Sequence, residues 1–490
     1  MILTDHGDAM RAPEPPRHVE GVLVLDAVEI STWGGHYVAL GAAPSPYPLA
    51  GEPDAVAEDV ARLGGFGIAA HPGSSRDGLR WRGWDAPYEG LEWLNADSEW
   101  RDRPRDLWGW ALSYPWAPVA TLTAMLDRPA AELAAWDRRL ARQPAVGMAA
   151  HDAHARVGLR GMGEPYDGAV AIRAPWYTPM FGTFTNVVAG ARTDHWGDAA
   201  TADARAVLDG IRAGRVYAVV TGRGSSRVAT FRAASGPGEA VMGGHLVPDG
   251  PVRFTFEAQA PDTATTTLVC DGRTVAQHPG GSLDWSSGPA PPGACRIEVA
   301  LDAPDGMPWI VTNPIYARPV LARPVPAALM PLRQSVVVPG SGDAAAWTRE
   351  VPDDARVEIA SGAGGPGRLT VRWALGGGTS TFAAASLAAP AGLAAFDRIG
   401  FQAVADRPMR IWLQLRSPAD GGRRWGRSLY LDTTPREVTV PFSALLPLDG
   451  QPGGAIPLDR ITALLLVADT VHHRPGAEGA VTFGPWWVGR

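Results

Sequence analysis

The chain has 490 residues, 44 basic and 51 acidic side chains and a formal net charge of −7, and no lysine occurs, so every basic side chain is arginine. A mildly acidic chain does not coat nucleic acid by bulk charge; a lysine-free chain forms no Schiff base and has no Walker phosphate loop; and no run reaches the roughly 18 apolar residues of a membrane-spanning helix. A hydrophobic content of 46% supports sizeable cores, and the length suggests about three domains at roughly 150 residues each.

In chain order, residues 1–225 alternate short apolar runs with helical stretches. Strands are expected at Ile2–Thr4, Leu23–Ile30, Tyr37–Leu40, Gly67–Ala70, Gly90–Leu94 and Val146–Ala150. Helices are expected at Asp54–Leu63, Pro118–Met125, Ala130–Arg142 and Ala202–Ala213. In the third of these, Leu133, Trp136 and Leu140 fall on one face at i, i+3 and i+7. Such alternation predicts an α/β domain, a barrel by preference. Residues 226–320 change to short alternating runs between Gly- and Pro-rich turns, which predicts an Ig-like β-sandwich. Residues 321–335 are proline-rich and read as a linker. Residues 336–490 return to strand pattern and predict a jelly-roll β-sandwich.

The chemistry-bearing residues sit where apolar runs end. Thr4-Asp5-His6 closes the first run, and Glu29 closes the second. His36 follows in Gly34-Gly35-His36, His71 in Ala70-His71-Pro72, and Asp152 and His154 in Asp152-Ala153-His154. In α/β folds the carboxyl ends of strands gather on one rim, and imidazole with carboxylate suits Zn²⁺, Mn²⁺ or Fe²⁺. Asp152 and His154, two apart, face one side of an extended segment. Singly, each residue is as well read as a hydrogen-bonded structural group; the ordered set of six points to a metal site.

That ordered set resembles the polymerase and histidinol phosphatase (PHP) family of metal-dependent phosphoesterases. EISTWGGHYVALG, GGFGIAAHPGSS, GLEWLNADSEWR and DAHARVG are closest to its carbaryl-hydrolase-like metallohydrolases. The resemblance implies a distorted, TIM-like (β/α)7 barrel over residues 1–225 with two or three divalent ions (Zn, Mn or Fe). Carried over by position, Glu29 bridges two ions, His36 and His71 bind the second and Asp152 the first. His6 and His154 belong to a third ion or contact the substrate. Glu29, Asp152 and His154 become the catalytic residues, Asp5 orients His6, and Glu92 and Asn95 support the site. The family's His-x-His motif has no counterpart here, so the expectation is an N-terminally truncated barrel lacking its first strand. The implied activity is hydrolysis of a small phosphoester, carbamate or ester by a metal-bridged hydroxide.

An alternative class is a catalytically degenerate barrel that binds carbohydrate or a surface. DRIGFQAVADRPMRIWLQLR and RWGRSLYLD resemble galactose-binding-like jelly rolls, in which Trp412, Arg416, Trp425 and Tyr430 either hold a sugar or belong to a buried aromatic core. Trp81, Trp84, Trp93, Trp100, Trp108 and Trp110 line an aromatic substrate pocket or else pack loops. Cys270 and Cys295 are a disulfide or two buried thiols. Thr193-Asp194-His195 reads as a local helix cap.

Overall fold

All six apolar runs of the first segment become strands. The structure is a computed structural model and describes residues 1–101, 107–154, 157–158, 171–172, 175–190, 199–301, 306–320, 331–362, 365–379, 381–449 and 455–490. Thr193-Asp194-His195 and most of the expected linker lie outside these residues. The described chain divides into two units. The first comprises residues 1–6, 13–43 and 60–322; the second comprises 7–12, 44–59 and 323–490.

The first unit begins with β1 (Ile2–His6), β2 (Arg17–Val19), β3 (Val22–Thr32), β4 (Gly35–Leu40), β5 (Phe66–Ala69), β6 (Gly90–Asn95) and β7 (Val146–Ala150), which form one sheet in the order β1-β3-β4-β5-β6-β7 with β2 on β3. The α-helices among the described residues are α1 (Pro53–Arg62), α2 (Ala96–Arg101), α3 (Leu107–Ser113), α4 (Pro118–Ala124), α5 (Ala130–Leu140), α6 (Tyr177–Phe181) and α7 (Ala200–Arg212). On α5 the predicted stripe is buried: Leu133, Trp136 and Leu140 all face inward, and Trp136 Nε1 donates to the Ala145 carbonyl at 3.0 Å. Ile211 of α7 joins Val38, Leu40, Phe66, Ile68 and Val146 in a core over the sheet.

This sheet corrects the expected (β/α)7 barrel. β1 runs parallel to β3, but β3, β4 and β5 run antiparallel, and only β5, β6 and β7 continue in parallel. Among the described residues β1 and β7 are the two ends of an open sheet. The cause lies in the connections. A parallel crossover needs about a dozen residues or more, and only Trp33 and Gly34 separate β3 from β4. They form a hairpin closed by the Thr32 hydroxyl, which donates to the Gly35 carbonyl at 2.6 Å. Gly35 has φ +105°, and a Cβ there would lie 2.5 Å from the Arg80 carbonyl oxygen, so the turn admits only glycine.

After the short pair β8 (Val157–Gly158) and β9 (Ala171–Ile172) come β10 (Thr185–Val188) and β11 (Val216–Val219). Residues 226–320 then supply only strands and turns: β12 (Val228–Ser235), β13 (Gly238–Val241), β14 (His245–Leu246), β15 (Arg253–Ala258), β16 (Thr265–Cys270), β17 (Arg273–Pro279), β18 (Ser282–Ser286), β19 (Gly293–Ala300), β20 (Ile310–Thr312) and β21 (Ile315–Ala317). They form two sheets, and the larger crosses residue 225, because β11 pairs with β20. Three side chains of the segment Asn313–Arg318 tie this layer to β7 and α5. The Asn313 amide bonds both N–H and C=O of Gly147, the Tyr316 hydroxyl accepts from the Ala145 N–H, and Arg318 donates to the Leu140 carbonyl. Cys270 and Cys295, opposite each other on β16 and β19, form a disulfide.

The second unit is an antiparallel two-sheet sandwich, which fits the expected jelly roll. Its strands are β22 (Ser335–Val337), β23 (Trp347–Glu350), β24 (Arg356–Ser361), β25 (Leu369–Ala374), β26 (Phe382–Ala388), β27 (Arg398–Ala405), β28 (Met409–Ser417), β29 (Arg423–Leu431), β30 (Arg436–Pro441), β31 (Leu446–Pro447), β32 (Ala463–Asp469), β33 (Glu478–Phe483) and β34 (Trp487–Gly489). One sheet is ordered β22-β34-β27-β33-β25-β24 and the other β23-β26-β32-β28-β29-β31. Trp347, Phe401, Phe483 and Trp486 fill the core between them, with Phe401 stacked on Trp486 at 4.6 Å.

Candidate metal centre

The open sheet still gathers the predicted residues on one rim. The parallel register of β1 and β3 sets His6 beside Glu29, and the β3–β4 hairpin sets His36 opposite Ser31. His71 follows β5, Glu92 and Asn95 lie on β6, and Asp152 and His154 follow β7. Glu29, His36, His71, Glu92 and Asn95 are buried, whereas His6 is exposed and Asp152 and His154 are half-buried.

Glu29 is the hub. Its Oε1 accepts from His36 Nδ1 at 2.7 Å and from His71 Nε2 at 2.8 Å. The rings of His6 and His36 lie 4.9 Å apart edge to face, and those of His36 and His71 lie 5.0 Å apart. The donor atoms of His6, Glu29 and His36 fall within 4.8 Å of one another. Burial disfavours the Glu29 carboxylate, but the two imidazole hydrogen bonds outweigh it and hold the group below the usual carboxylate range. Burial likewise opposes a charged His71, yet the Glu29 hydrogen bond and the charges of Glu92, Glu29 and Asp152 push it up to about 9.

A second group of donors, Asp97, Asp152 and His154, also falls within 4.8 Å. Asn95 links the two: its Nδ2 donates to Glu92 Oε2 at 2.9 Å and to Asp152 Oδ2 at 3.3 Å. Glu92 Oε2 in turn accepts the His71 backbone N–H at 2.7 Å. His71 and Asp152 both have positive φ, +28° and +48°, the strained backbone that persists where surroundings over-determine it. His154 Nδ1 donates to the Asp152 carbonyl at 2.9 Å.

The charge balance fits a cation. Asp152 is raised by burial and by the charges of Glu29 and Asp97, and Glu92 is raised to about 7, mainly by burial. Buried carboxylates pushed toward their neutral form are relieved by a positive ion, and the mixed imidazole–carboxylate set suits Zn²⁺, Mn²⁺ or Fe²⁺. The sheet thus brings His6, Glu29, His36 and His71 into one group and Asp152 and His154 into the other.

Asp97 was missed by the sequence reading. It stands at the start of α2, two residues after β6 ends, and its only signal is an acidic side chain just past an apolar strand. Of the two readings of these tryptophans, burial of three of them fits packing. Trp81, Trp93 and Trp100 are buried, Trp84 and Trp110 are partly or wholly exposed, and the Trp108 side chain lies outside the described residues.

In the second unit the four sugar-facing candidates are already engaged. Trp412 and Trp425 are buried at 1% and 2% exposure. Arg416 is held by Glu350 at 2.6 and 2.8 Å, and Tyr430 lies 6.4 Å from the Tyr47 ring.

No family model matches this chain, and no curated protein matches it. Similar solved structures include the family 11 carbohydrate-binding module of the cellulosomal cellulase Lic26A-Cel5E of Clostridium thermocellum, at 17% identity over 29% of this chain and 86% of that one, with a TM-score of 0.24. The Clostridium thermocellum family 11 module in complex with a β-1,3-1,4-mixed-linked tetrasaccharide gives 17% identity, 31% and 94% coverage and a TM-score of 0.25. A carbohydrate-binding module of the β-sandwich superfamily gives 10% identity, 54% and 98% coverage and a TM-score of 0.22. At these scores the likeness assigns this chain neither their fold nor their ligands. Nothing in the comparisons supports a PHP-type hydrolase, and the TIM-like barrel expected of one is not the fold observed. No helix among the described residues is long and apolar enough to cross a membrane.

Proposed function

We propose that the cluster around Glu29 and Asp152 is a divalent-cation centre that serves cleavage of an ester-type bond in a small molecule, a phosphoester, carbamate or carboxylic ester. The observation that carries this reading is the gathering of two donor groups, His6, Glu29 and His36 in one and Asp97, Asp152 and His154 in the other, each with its donor atoms within 4.8 Å of one another. A bound cation supplies a low-pKa water and neutralises developing negative charge. The chain's own residues do the rest. Glu29, His36 and His71 form a pre-assembled buried set, and Glu92 fixes the His71 backbone. With His154 Nδ1 committed to the Asp152 carbonyl, Nε2 is the nitrogen left to face a cation. The test is calorimetric titration of chelator-treated full chain with Mn²⁺ or Zn²⁺, paired with a panel of the three ester types. A Glu29→Ala variant should lose cation affinity by about 100-fold and lose activity with it. Unchanged binding in that variant refutes the centre.

A second reading, carbohydrate binding by the second unit, is favoured by one surface. On the β23-β26-β32-β28-β29-β31 sheet, half-buried Glu350, Arg416 and Arg424 lie on one face with half-buried Phe382 and Leu448. The Arg424 guanidinium sits over the Phe382 ring at 6.0 Å and Arg424 Nη1 donates to Gln414 Oε1 at 3.5 Å. A sugar ring offers an apolar C–H face and a rim of hydroxyls, which such a strip matches. Affinity electrophoresis against mixed-linked β-glucan and galactan tests it. Retardation that Arg416→Ala abolishes supports the reading, and equal mobility with and without polysaccharide refutes it.

A further inference from the structure

Residues 107–126 hold no Asp, Glu, Arg or His in a chain that is 19% charged, and they include α3, a turn and α4. The inner side of this helical hairpin is anchored. Thr121 Oγ1 donates to Ser113 Oγ at 3.0 Å across the two helices, and the Leu122 carbonyl accepts from Trp100 Nε1 at 3.3 Å. The Tyr114 hydroxyl accepts the Trp176 N–H at 2.7 Å, and Thr121, Leu122 and Thr123 are buried. The outer side is exposed and uncharged, formed by Leu112, Ser113, Pro115, Trp116, Ala117 and Ala120. Leu112 is 76% exposed and Trp116, in the turn, 88%. The Trp116 and Ala117 N–H groups donate to the Ser113 carbonyl at 3.1 and 3.0 Å, so Trp116 stands out from a hydrogen-bonded turn rather than a frayed end. Helices that face water normally carry charged and polar residues on that face, and an apolar one marks a contact surface.

We propose that Trp116 and Leu112 form a shallow insertion tip by which the first unit docks on a neutral, zwitterionic lipid surface. Three observations select that occupant. The first is residue type: a tryptophan ring with its one polar N–H suits the boundary between acyl chains and headgroups, and Leu112 adds apolar depth. α3 and α4 are 7 residues each, far short of the roughly 20 that cross a bilayer, so the hairpin lies on the surface. The second is charge. The hairpin offers no cation to an anionic headgroup and the chain carries a net −7, so anionic lipid gives no attraction. The third is area. Trp116, Leu112 and the neighbouring Trp176, 58% exposed with its ring 5.9 Å from Tyr114, together offer roughly 500 Å². Each partner of a stable dimer buries about 800 Å², whereas a lipid interface needs no matching pocket.

Density-gradient flotation of the full chain with phosphatidylcholine vesicles tests this. The wild-type chain should float with the vesicles, and raised salt should leave the bound fraction unchanged, since no ion pair is screened. Trp116→Ala should lower the partition coefficient by about tenfold, and Leu112→Asp, which puts a charge on the apolar face, by at least as much. Trp116→Phe keeps a ring and should float nearly as the wild type does, which separates loss of the tip from loss of the fold. A wild-type chain that stays at the bottom of the gradient overturns the proposal, as does flotation that survives both Trp116→Ala and Leu112→Asp. Binding that appears only with phosphatidylglycerol and vanishes in raised salt also overturns it, because the contact is then electrostatic and elsewhere. So does a dimer that Trp116→Ala converts to monomer in sedimentation, because the face is then a contact between copies.

Discussion

The Glu92 carboxylate accepts the backbone N–H of His71 at 2.7 Å, across the strands β5 and β6. This bond holds a non-glycine residue at φ +28°, and through Asn95 the same oxygen is joined to Asp152. Groups that orient ligands from behind are worth about 10- to 100-fold in metal affinity. Glu92→Ala should therefore weaken Mn²⁺ binding by that factor in calorimetry with the melting profile of the second unit unchanged. Glu92→Gln, which keeps an acceptor for the His71 N–H, should fall between the two. Wild-type affinity in Glu92→Ala would remove the brace from the account.

The site was far more legible in the sequence than the fold around it. Each of His6, Glu29, His36, His71, Asp152 and His154 ends an apolar run or follows its turn, and strand ends on one rim converge whether the sheet is closed or open. Strand order is different, because it depends on hydrogen bonds between distant segments. The gap of Trp33 and Gly34 between β3 and β4 was nonetheless readable, since it is too short for a parallel crossover. That hairpin turns the middle of the sheet antiparallel. The grip of Arg410 on Asp59, 351 residues away in sequence, had no local signal at all.

His473 in the second unit is buried, and its Nε2 donates to the Arg410 carbonyl at 2.8 Å. Burial, with smaller contributions from His472 and Arg407, pushes it down to about 3. Unfolded, it titrates near the ordinary histidine value of about 6.5. Between those values the unfolded chain binds the extra proton, so stability is full above about pH 6.5 and falls as pH drops. The slope approaches about 1.4 kcal/mol per pH unit for this group. Calorimetric scans at pH 7 and pH 5 should show the second unit melting earlier at pH 5. His473→Gln, which keeps a donor for the Arg410 carbonyl, should flatten that part of the dependence; an unchanged slope would assign the acid loss to other groups.

Cys270 and Cys295 face each other on β16 and β19 and are 25 residues apart in sequence. Closing a loop of that length restricts the unfolded chain by about 3 kcal/mol. The double variant Cys270→Ala/Cys295→Ala should lose roughly that much stability in the first unit, read by denaturant unfolding, and reduction of the wild-type chain should give a similar loss. Alkylation of both thiols in non-reduced, denatured protein would show that the bond is not made.

Arg410 is 1% exposed, Asp59 is 2% exposed, and the two make a bidentate pair at 2.7 and 3.0 Å inside the second unit. The same guanidinium donates to the Ala55 carbonyl, to Glu58 and to the Ser428 carbonyl and hydroxyl. Nearby, Glu52 accepts from the Ser428 N–H and hydroxyl, and Arg427 pairs with Asp54 and Glu58. Residues 52–59 are thereby fastened across β28 and β29. Removing one partner of a buried pair leaves an uncompensated charge, at about 3–5 kcal/mol. Arg410→Met should lower the stability of the second unit by that amount, and limited proteolysis should then cut within residues 44–59. Arg410→Lys keeps the charge but not the planar fork and should recover only part of the loss. Arg410→Met combined with Asp59→Leu should restore most of it, because the stranded carboxylate is gone. A double variant as unstable as Arg410→Met alone would place the importance of Arg410 in its Ser428 and Ala55 bonds rather than in the ion pair.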